Sequence, residues 1–258
     1  MSYTRGNKMA NTLNTQDQNN NIAMLIDCDN VSYKYIDGII NDLSKYGVVN
    51  IRNAYGNWKD PKLKGWEDSL QEYAIRPIQQ FSYTQGKNAS DIAMIIDVMD
   101  LLYTKELSAI ALVTSDSDFT PVVFRILSNG LTVYGYGEKK TPSPFVNSCS
   151  QFIYAEKLIT ADENEYDSKN FIYTKEELRG DKKLIFNLNK AIEITSDDNG
   201  WANIASVGIY LRQKSSFSPI NYGYQKLGHL IKATDLYEVK KTGEQKNVLL
   251  VRSKRRSY

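Results

Sequence analysis

The chain has 258 residues, a net charge of +2 and 41% hydrophobic residues, which is enough for one large domain or two ordinary ones. Its single histidine, His229, excludes a paired-histidine ribonuclease mechanism within one chain. The two cysteines, Cys28 and Cys149, lack the number and spacing of a zinc site and favour a reduced, cytoplasmic protein. No leader-like or membrane-length apolar run occurs, so we expect neither export nor membrane insertion.

The charges divide the chain into two parts. Residues 1–168 carry a net charge of −6, whereas residues 169–258 carry +8. Residues 1–20 are polar and rich in amide side chains, so we expect a disordered tail. The acidic stretch from Asp162 to Asp167 predicts a linker, assigned to 161–183, between a first domain at 21–160 and a second at 184–252. A basic tail at 253–258 follows.

Two short apolar runs in the first part end in acidic residues. The runs Ile22–Ile26 and Ala109–Val113 are typical of buried parallel strands. Asp27 follows the first strand and Asp116 the second, and ligands bind at the carboxyl ends of such strands. We therefore expect these two carboxylates to converge.

A helix is predicted between these strands, over residues 89–103. Asp91 lies in its first turn, where the helix dipole also favours a carboxylate. The apolar residues at helical spacing predict the face that packs against the core. They are Ile92, Ile95, Ile96, Met99 and Leu102.

The acids Asp27, Asp91, Asp116 and Asp118 together predict a divalent-metal site. Carboxylates brought close together raise one another's pKa unless a cation is present, and oxygen ligands favour Mg²⁺ or Mn²⁺ over zinc. The chemistry that fits this site is metal-assisted hydrolysis of a phosphodiester bond.

Several neighbouring residues are candidates for supporting roles. Lys87 is placed to contact a phosphate or to neutralise Asp91. Ser115 and Thr114 are predicted to orient the site. Asn30 either binds a metal water or caps the following helix. Asp97 lies about 240° round the helix from Asp91, so we predict a structural role for it.

The second part predicts a winged helix. Helices are expected over Leu184–Ile194, Trp201–Leu211 and Tyr222–Ile231. The segments Leu236–Val239 and Asn247–Val251 flank a glycine-containing turn, which is typical of a hairpin. Three helices and a hairpin form the winged-helix pattern.

Basic and aromatic residues of this part are candidates for contacts with nucleic acid. Lysines attract phosphate, and tyrosines stack on unpaired bases. The alternatives are that the lysines form a solvated surface and that the tyrosines pack the third helix. The candidates are Lys226, Lys232, Lys240, Lys241, Tyr222 and Tyr224.

The first part resembles a known family. Its segments Asp27-Cys-Asp-Asn30, Lys87 to Asp97 and Thr114 to Phe119, with Gly135 to Glu138 and Thr141 to Val146, are similar to the NYN domain of the LabA-like branch of the PIN-like nucleases. This resemblance implies an α/β fold with three layers, α/β/α, and a mostly parallel sheet. It also implies metal-dependent cleavage of RNA, with Asp27, Asp91 and Asp116 as metal ligands and with Asp118 and Asn30 in support.

Residues 184–252 resemble the OST-HTH or LOTUS domain, which implies RNA binding or protein docking. The two resemblances together predict an endoribonuclease that uses Mg²⁺ or Mn²⁺ and carries a basic winged helix for RNA. The alternatives are a non-catalytic RNA-binding or adaptor protein and a DNA-binding regulator. RNA is the expected partner, no membrane is expected, and a protein partner and a homo-oligomer stay open.

Overall fold

The structure is a computed structural model that describes residues 20–80, 89–104, 106–159, 172–242 and 248–254. Lys87 and the glycine-containing turn of the predicted hairpin lie outside these residues. Within the described ranges, no helix is both long and apolar enough to cross a membrane.

A parallel sheet forms the centre of the first domain. Over the described residues it has six strands in the order β3-β2-β1-β4-β5-β6, and each neighbouring pair is parallel. Strands β1 and β4 confirm the two strands that the apolar runs predicted. The bounds are β1 Asn21–Asp27, β2 Val48–Gly56, β3 Arg76–Gln79, β4 Ala109–Val113, β5 Thr132–Gly137 and β6 Gln151–Tyr154.

Helices cover both faces of this sheet, as the predicted three-layer α/β/α fold requires. Along β1, Met24 joins the apolar cluster of one face and Leu25 joins that of the other, because successive strand side chains alternate. Helix α1 packs on the first face, and α3, α4 and α5 pack on the second. The bounds are α1 Ile36–Leu43, α2 Glu67–Glu72, α3 Ala89–Thr104, α4 Thr120–Ser128 and α5 Ser143–Ser148.

Helix α3 confirms the predicted element but not its predicted core face. Met94 and Val98 are fully buried against the sheet, whereas Ile92 is 59% exposed and Ile96 is 54% exposed. Apolar residues occupy more than one side of this helix, so periodicity alone selected the wrong side. Ile95 and Leu102 pack at the margin of the core.

The second domain consists of helices and a small antiparallel sheet in the order β7-β9-β8. Strands β8 and β9 confirm the predicted hairpin. The bounds are α6 Lys175–Gly180, α7 Lys182–Thr195, β7 Ala202–Asn203, α8 Ile204–Lys214, α9 Leu227–Thr234, β8 Tyr237–Thr242 and β9 Val248–Ser253.

Two of its predicted helices begin later than expected. Trp201 follows a turn in which Gly200 has φ +76°, and helix α8 starts after Asn203, whose side chain accepts a hydrogen bond from the Ala205 N–H. Tyr222 ends a 3-10 turn that Gly223 closes with φ +84°. Helix α9 therefore starts at Leu227, and neither Tyr222 nor Tyr224 lies on it.

Helix α6 lies within the stretch assigned to the linker and packs with the second domain. Its Leu178 is fully buried in the core of that domain. Asp235, which follows α9, pairs with Lys175 and Arg179 and also with Lys254. The hydrogen bonds from Lys175 and Lys254, Lys175 first, and then the charges of these two lysines lower the pKa of Asp235.

The two domains meet along the edge strand β6. The Phe152 N–H donates to the Ser216 carbonyl at 3.2 Å. The Asn221 amide donates to the Phe152 carbonyl at 2.8 Å and accepts from the Tyr154 N–H at 3.0 Å. Ile220 packs into the core of the first domain. The second domain thus covers backbone groups that an edge strand otherwise exposes.

Candidate active site

The predicted acids lie at the carboxyl edge of the parallel sheet. Asp27 is the last residue of β1, and Asp116 follows the neighbouring strand β4. Asp91 belongs to the first turn of α3. Neighbouring parallel strands end at the same edge, so the fold itself brings these segments together.

Asp27 is a buried carboxylate with only one of its two oxygens satisfied. Only 1% of the Asp27 surface is exposed to solvent. Oδ2 accepts hydrogen bonds from Thr114 Oγ1 at 2.7 Å and from Asn30 Nδ2 at 2.8 Å. Oδ1 is buried and has no partner among the described residues. Burial is the largest cause that raises the pKa of Asp27.

Asp91 experiences the charge of the whole cluster. Burial and then the negative charges of Asp27, Asp116, Asp29 and Asp118 raise the pKa of Asp91 to about 6. In the described part of the chain, none of these five carboxylates forms an ion pair. Among the described residues, the site is therefore a concentration of negative charge without a neutralising side chain.

A tight turn after β4 carries the other acids. Asp116 caps the 3-10 turn Ser117–Phe119, and its Oδ1 accepts a hydrogen bond from the Asp118 N–H at 2.8 Å. The Asp116 N–H in turn donates to Thr114 Oγ1 at 3.1 Å. Ser115 Oγ accepts from the Glu138 N–H at 2.9 Å. These bonds fix the turn, while the Asp118 side chain is exposed.

The other site candidates have defined contacts. Asn30 donates to Asp27, whereas Ser32 caps the following 3-10 turn, so the capping alternative for Asn30 is wrong. Asp97 accepts a hydrogen bond from the Tyr55 hydroxyl at 2.6 Å, which agrees with the predicted structural role. One contact was not predicted, namely the hydrogen bond of 2.9 Å that Ser90 Oγ donates to Asp29.

The donor set fits a hard cation that keeps most of its water. In the described ranges, no group of three or more Asp, Glu, His or Cys side chains is arranged so that it could hold a metal ion. Mg²⁺, however, commonly uses one or two carboxylates and retains waters. The buried, unpartnered Oδ1 of Asp27 is the group that such a cation would satisfy.

The candidate nucleic-acid residues of the second domain divide into two groups. Lys226, Lys232, Lys240 and Lys241 are exposed. Tyr222 and Tyr224 instead pack against the core of that domain. Of the two alternatives for these tyrosines, stacking on bases and packing within the domain, their contacts favour packing.

Specific contacts hold these tyrosines in place. The Tyr224 hydroxyl donates to the Tyr173 carbonyl at 2.8 Å, and the Tyr222 ring contacts Tyr173 edge to face at 5.4 Å between centroids.

Trp201, just before β7, contacts two cations of the β8–β9 hairpin. The spacing of residues in the sequence did not indicate this contact. Lys240 Nζ lies 3.8 Å from the centre of the Trp201 ring, and Arg252 Cζ lies 4.5 Å from it. Each cation is attracted to the electron-rich ring face. The contact joins residues that are about forty or more positions apart in the chain, so only the folded hairpin reveals it.

The fold and the acids define a class, namely an α/β domain of the PIN-like type joined to a helical module with a small antiparallel sheet. Comparison with known families agrees. The chain belongs to the NYN family, because its residues 21–159 match the NYN domain, and residues 180–249 match the OST-HTH/LOTUS domain. The NYN domain indicates a PIN-like nuclease, a class that generally uses divalent metals, and OST-HTH/LOTUS domains bind RNA.

The chain is similar to a known protein and to two solved structures. The uncharacterised protein MJ0482 of Methanocaldococcus jannaschii is 27% identical over 169 residues, covering 63% of this chain and 67% of that protein. A Vibrio parahaemolyticus protein of unknown function, VPA0982, is 20% identical with a TM-score of 0.45, covering 53% of this chain and 93% of that one. An uncharacterised Nitrosomonas europaea protein from locus NE0665 is 38% identical with a TM-score of 0.26, covering 29% and 74% respectively.

Proposed function

We propose that this protein is an endoribonuclease that hydrolyses RNA with Mg²⁺ or Mn²⁺ held by Asp27, Asp91, Asp116 and Asp118. The observation that carries the proposal is the buried Asp27 carboxylate, whose Oδ1 has no partner, beside acids that raise the pKa of Asp91 to about 6. Such a cluster is stabilised when a cation binds it.

The protein side chains prepare this site in advance. Thr114 and Asn30 both donate to Oδ2 of Asp27, so they fix the carboxylate and leave Oδ1 for the cation. Two hydrogen bonds fix the Asp116 turn. The Asp116 N–H donates to Thr114 Oγ1, and the Asp118 N–H donates to Asp116 Oδ1. Groups around a metal site that orient its ligands in this way affect affinity and activity strongly.

A bound Mg²⁺ or Mn²⁺ supplies positive charge that stabilises the phosphate in the transition state and makes an attacking water more acidic. In this proposal, the cation would stabilise the ionised carboxylate of Asp91, whose pKa burial and the other acids raise to about 6 when no cation is bound. Attack by water that breaks the P–O3′ bond leaves a 5′-phosphate and a 3′-hydroxyl. Attack by the RNA 2′-hydroxyl breaks the P–O5′ bond and leaves a cyclic 2′,3′-phosphate and a 5′-hydroxyl. In this proposal, the second domain supplies affinity through the exposed candidates Lys226, Lys232, Lys240 and Lys241.

The test is cleavage of a mixed pool of structured and single-stranded RNA with Mn²⁺, Mg²⁺ or EDTA. We expect metal-dependent cutting by the wild type, loss of cutting in Asp27→Asn and Asp116→Asn, and 5′-phosphate ends. Asp68→Asn removes an exposed acid of α2 in the same domain and is the matched control. Calorimetric titration with Mn²⁺ provides a readout that does not depend on activity.

The outcomes separate the alternatives. Cyclic phosphate ends would contradict hydrolysis by water. Folded wild type that binds RNA but does not cut it, with or without metal, would favour the non-catalytic adaptor. Tighter binding to DNA than to matched RNA would favour the DNA-binding regulator.

A further inference from the structure

A groove runs along the junction of the two domains, at the amino edge of the sheet. Its larger cavity has a volume of about 760 Å³. Tyr46, Tyr134 and Gln151 line it from the first domain, and Arg212 and Lys214 line it from the end of α8. A neighbouring cavity of about 450 Å³ shares Tyr46, Gln151 and Arg212. We call these two cavities together the junction groove.

The junction groove carries three positive charges that no described residue pairs with. Arg212, Lys214 and Lys226 line it and are exposed, and within the described residues they form neither ion pairs nor side-chain hydrogen bonds. The acid beside them, Asp42, is buried and already bonded to Lys45 Nζ and to the Tyr136 hydroxyl, each at 2.9 Å. The three cations are therefore available to an anionic ligand.

The groove also has an aromatic wall, formed by Tyr46 and Tyr134, which are half-buried against the core of the first domain and also line the cavity. Tyr46 and Tyr134 stack with 4.6 Å between ring centroids and 24° between ring planes. Gln151 Nε2 donates to the Tyr46 hydroxyl at 2.8 Å, which fixes the position of that ring. The Arg212 charge lies near enough to lower the pKa of both tyrosines, although burial, the largest cause, raises it.

We propose that the junction groove binds a single strand of RNA, with Arg212, Lys214 and Lys226 contacting phosphates and the Tyr46–Tyr134 stack contacting a base. Unpaired cations beside planar aromatic rings are the combination that holds single strands with little sequence preference. The site deepens the proposed function and rests on it, because it names where the substrate of the acid cluster is held.

The position of the groove sets a requirement on the substrate. The groove lies at the start of β5, where Thr132 lines it, whereas the acids lie where the strands end. The six residues of β5 separate these edges by roughly 20 Å at about 3.3 Å per residue. An RNA cut at one edge while held at the other must therefore be long enough to pass round the domain.

The first experiment measures the affinity of fluorescent oligouridine strands of increasing length by anisotropy in EDTA, which suspends the proposed cleavage. Arg212→Ala with Lys214→Ala removes two groove cations. Lys182→Ala with Lys190→Ala removes two exposed cations of α7 and is the matched control. We expect about tenfold weaker binding for the groove pair and a salt slope smaller by about 1.4, since each phosphate contact to a single strand contributes about 0.7.

The second experiment tests the aromatic wall. Tyr46→Leu removes the ring, and Tyr46→Phe keeps it while losing only the hydroxyl. We expect several-fold weaker binding for the leucine variant, independent of salt, and near wild-type binding for the phenylalanine variant. Thermal unfolding of each variant checks the fold. Photocrosslinking of RNA that carries 4-thiouridine should label Tyr46 or Tyr134.

The groove site would be overturned if Arg212→Ala with Lys214→Ala and Lys182→Ala with Lys190→Ala lost equal affinity for RNA. Crosslinks confined to the β8–β9 hairpin would also overturn it. The result is distinguishable from failure of the proposed function. Groove-dependent binding without metal-dependent cutting would refute only the nuclease. Metal-dependent cutting with wild-type affinity in the groove variants would refute only the groove.

Discussion

The two edges of the central sheet have opposite chemistry. At the carboxyl edge, Asp27, Asp91 and Asp116 lie together without an ion pair in the described part of the chain, and burial raises the pKa of Asp27 and of Asp91. At the amino edge, Arg212 and Lys214 face two stacked tyrosines. The first edge is suited to a cation and the second to an anion, so one sheet separates the proposed chemistry from the proposed binding of substrate.

A kinetic comparison of the two edges gives the largest expected effect. Asp116→Asn should lower kcat by about a thousandfold or more, because metal charge contributes several kcal/mol to such transition states. Arg212→Ala with Lys214→Ala should instead raise KM and leave kcat nearly unchanged. Steady-state cleavage of a long single-stranded RNA measures both. A fall in kcat for Arg212→Ala with Lys214→Ala would contradict the assignment of catalysis to one edge of the sheet and of substrate binding to the other.

The second prediction concerns the contact that joins the two regions. Ile220→Ala should destabilise the protein by about 2–5 kcal/mol, because Ile220 belongs to the second domain in sequence but is buried in the core of the first. Ile220→Val is the control and should cost about 0.5–1.5 kcal/mol. Denaturant unfolding measures the change.

Hydrogen exchange adds a local readout for the same variant. The Phe152 and Tyr154 amides, which bond to the second domain, should exchange faster in Ile220→Ala. If their protection stayed at the wild-type level while stability fell, the domains would not be coupled through this segment.

The third prediction concerns the hydrogen bonds by which Thr114 orients the acids at the carboxyl edge of the sheet. Thr114→Val removes the hydroxyl that donates to Asp27 and accepts from the Asp116 N–H. Loss of such an orienting group should reduce Mn²⁺ affinity or cleavage about 10- to 100-fold. Thr114→Ser keeps the hydroxyl and should retain activity. Titration calorimetry and cleavage assays measure the two quantities, and a Val variant as active as the Ser variant would contradict this role.

The carboxyl edge was more accessible to sequence reasoning than the amino edge, for a physical reason. The acids at the carboxyl edge follow apolar runs directly, so strand prediction and the parallel-sheet rule bring Asp27 and Asp116 together. The residues of the junction groove, such as Tyr46, Tyr134 and Arg212, come from separate segments in two domains. No local spacing relates them, and only the docking of the domains creates the surface.

Burial was predicted less well than element type. Helix α3 is apolar on several sides, so spacing could not distinguish Met94 and Val98, which are buried, from Ile92 and Ile96, which are exposed. In the second domain, Gly223 in the left-handed region ends a turn that local periodicity had extended into a helix. In both places tertiary packing decides what a short apolar pattern leaves open.

The smallest predicted effect is on the stability of the carboxyl edge itself. The pKa of Asp91 is raised to about 6 in the folded protein from an ordinary value of 3.8, so the folded state loses stability relative to the unfolded state as the pH rises from 3.8 to about 6. In metal-free buffer at pH 7.5, Asp91→Asn should therefore be more stable than the wild type by on the order of 1 kcal/mol, or about 2–4 °C in Tm.

The pH and metal dependence of this difference identify its cause. Between pH 3.8 and 6 the unfolded chain is ionised at Asp91 while the folded wild type holds a proton there, so the advantage of Asp91→Asn should shrink as the pH falls below 6 and should approach zero only below 3.8. Mn²⁺ at pH 7.5 should raise the Tm of the wild type more than that of the variant, because ligand binding stabilises the folded state and the variant has lost a carboxylate. Asp68→Asn should show neither dependence. An equal Tm gain from Mn²⁺ in wild type and Asp91→Asn would mean that repulsion at Asp91 is unrelated to ion binding.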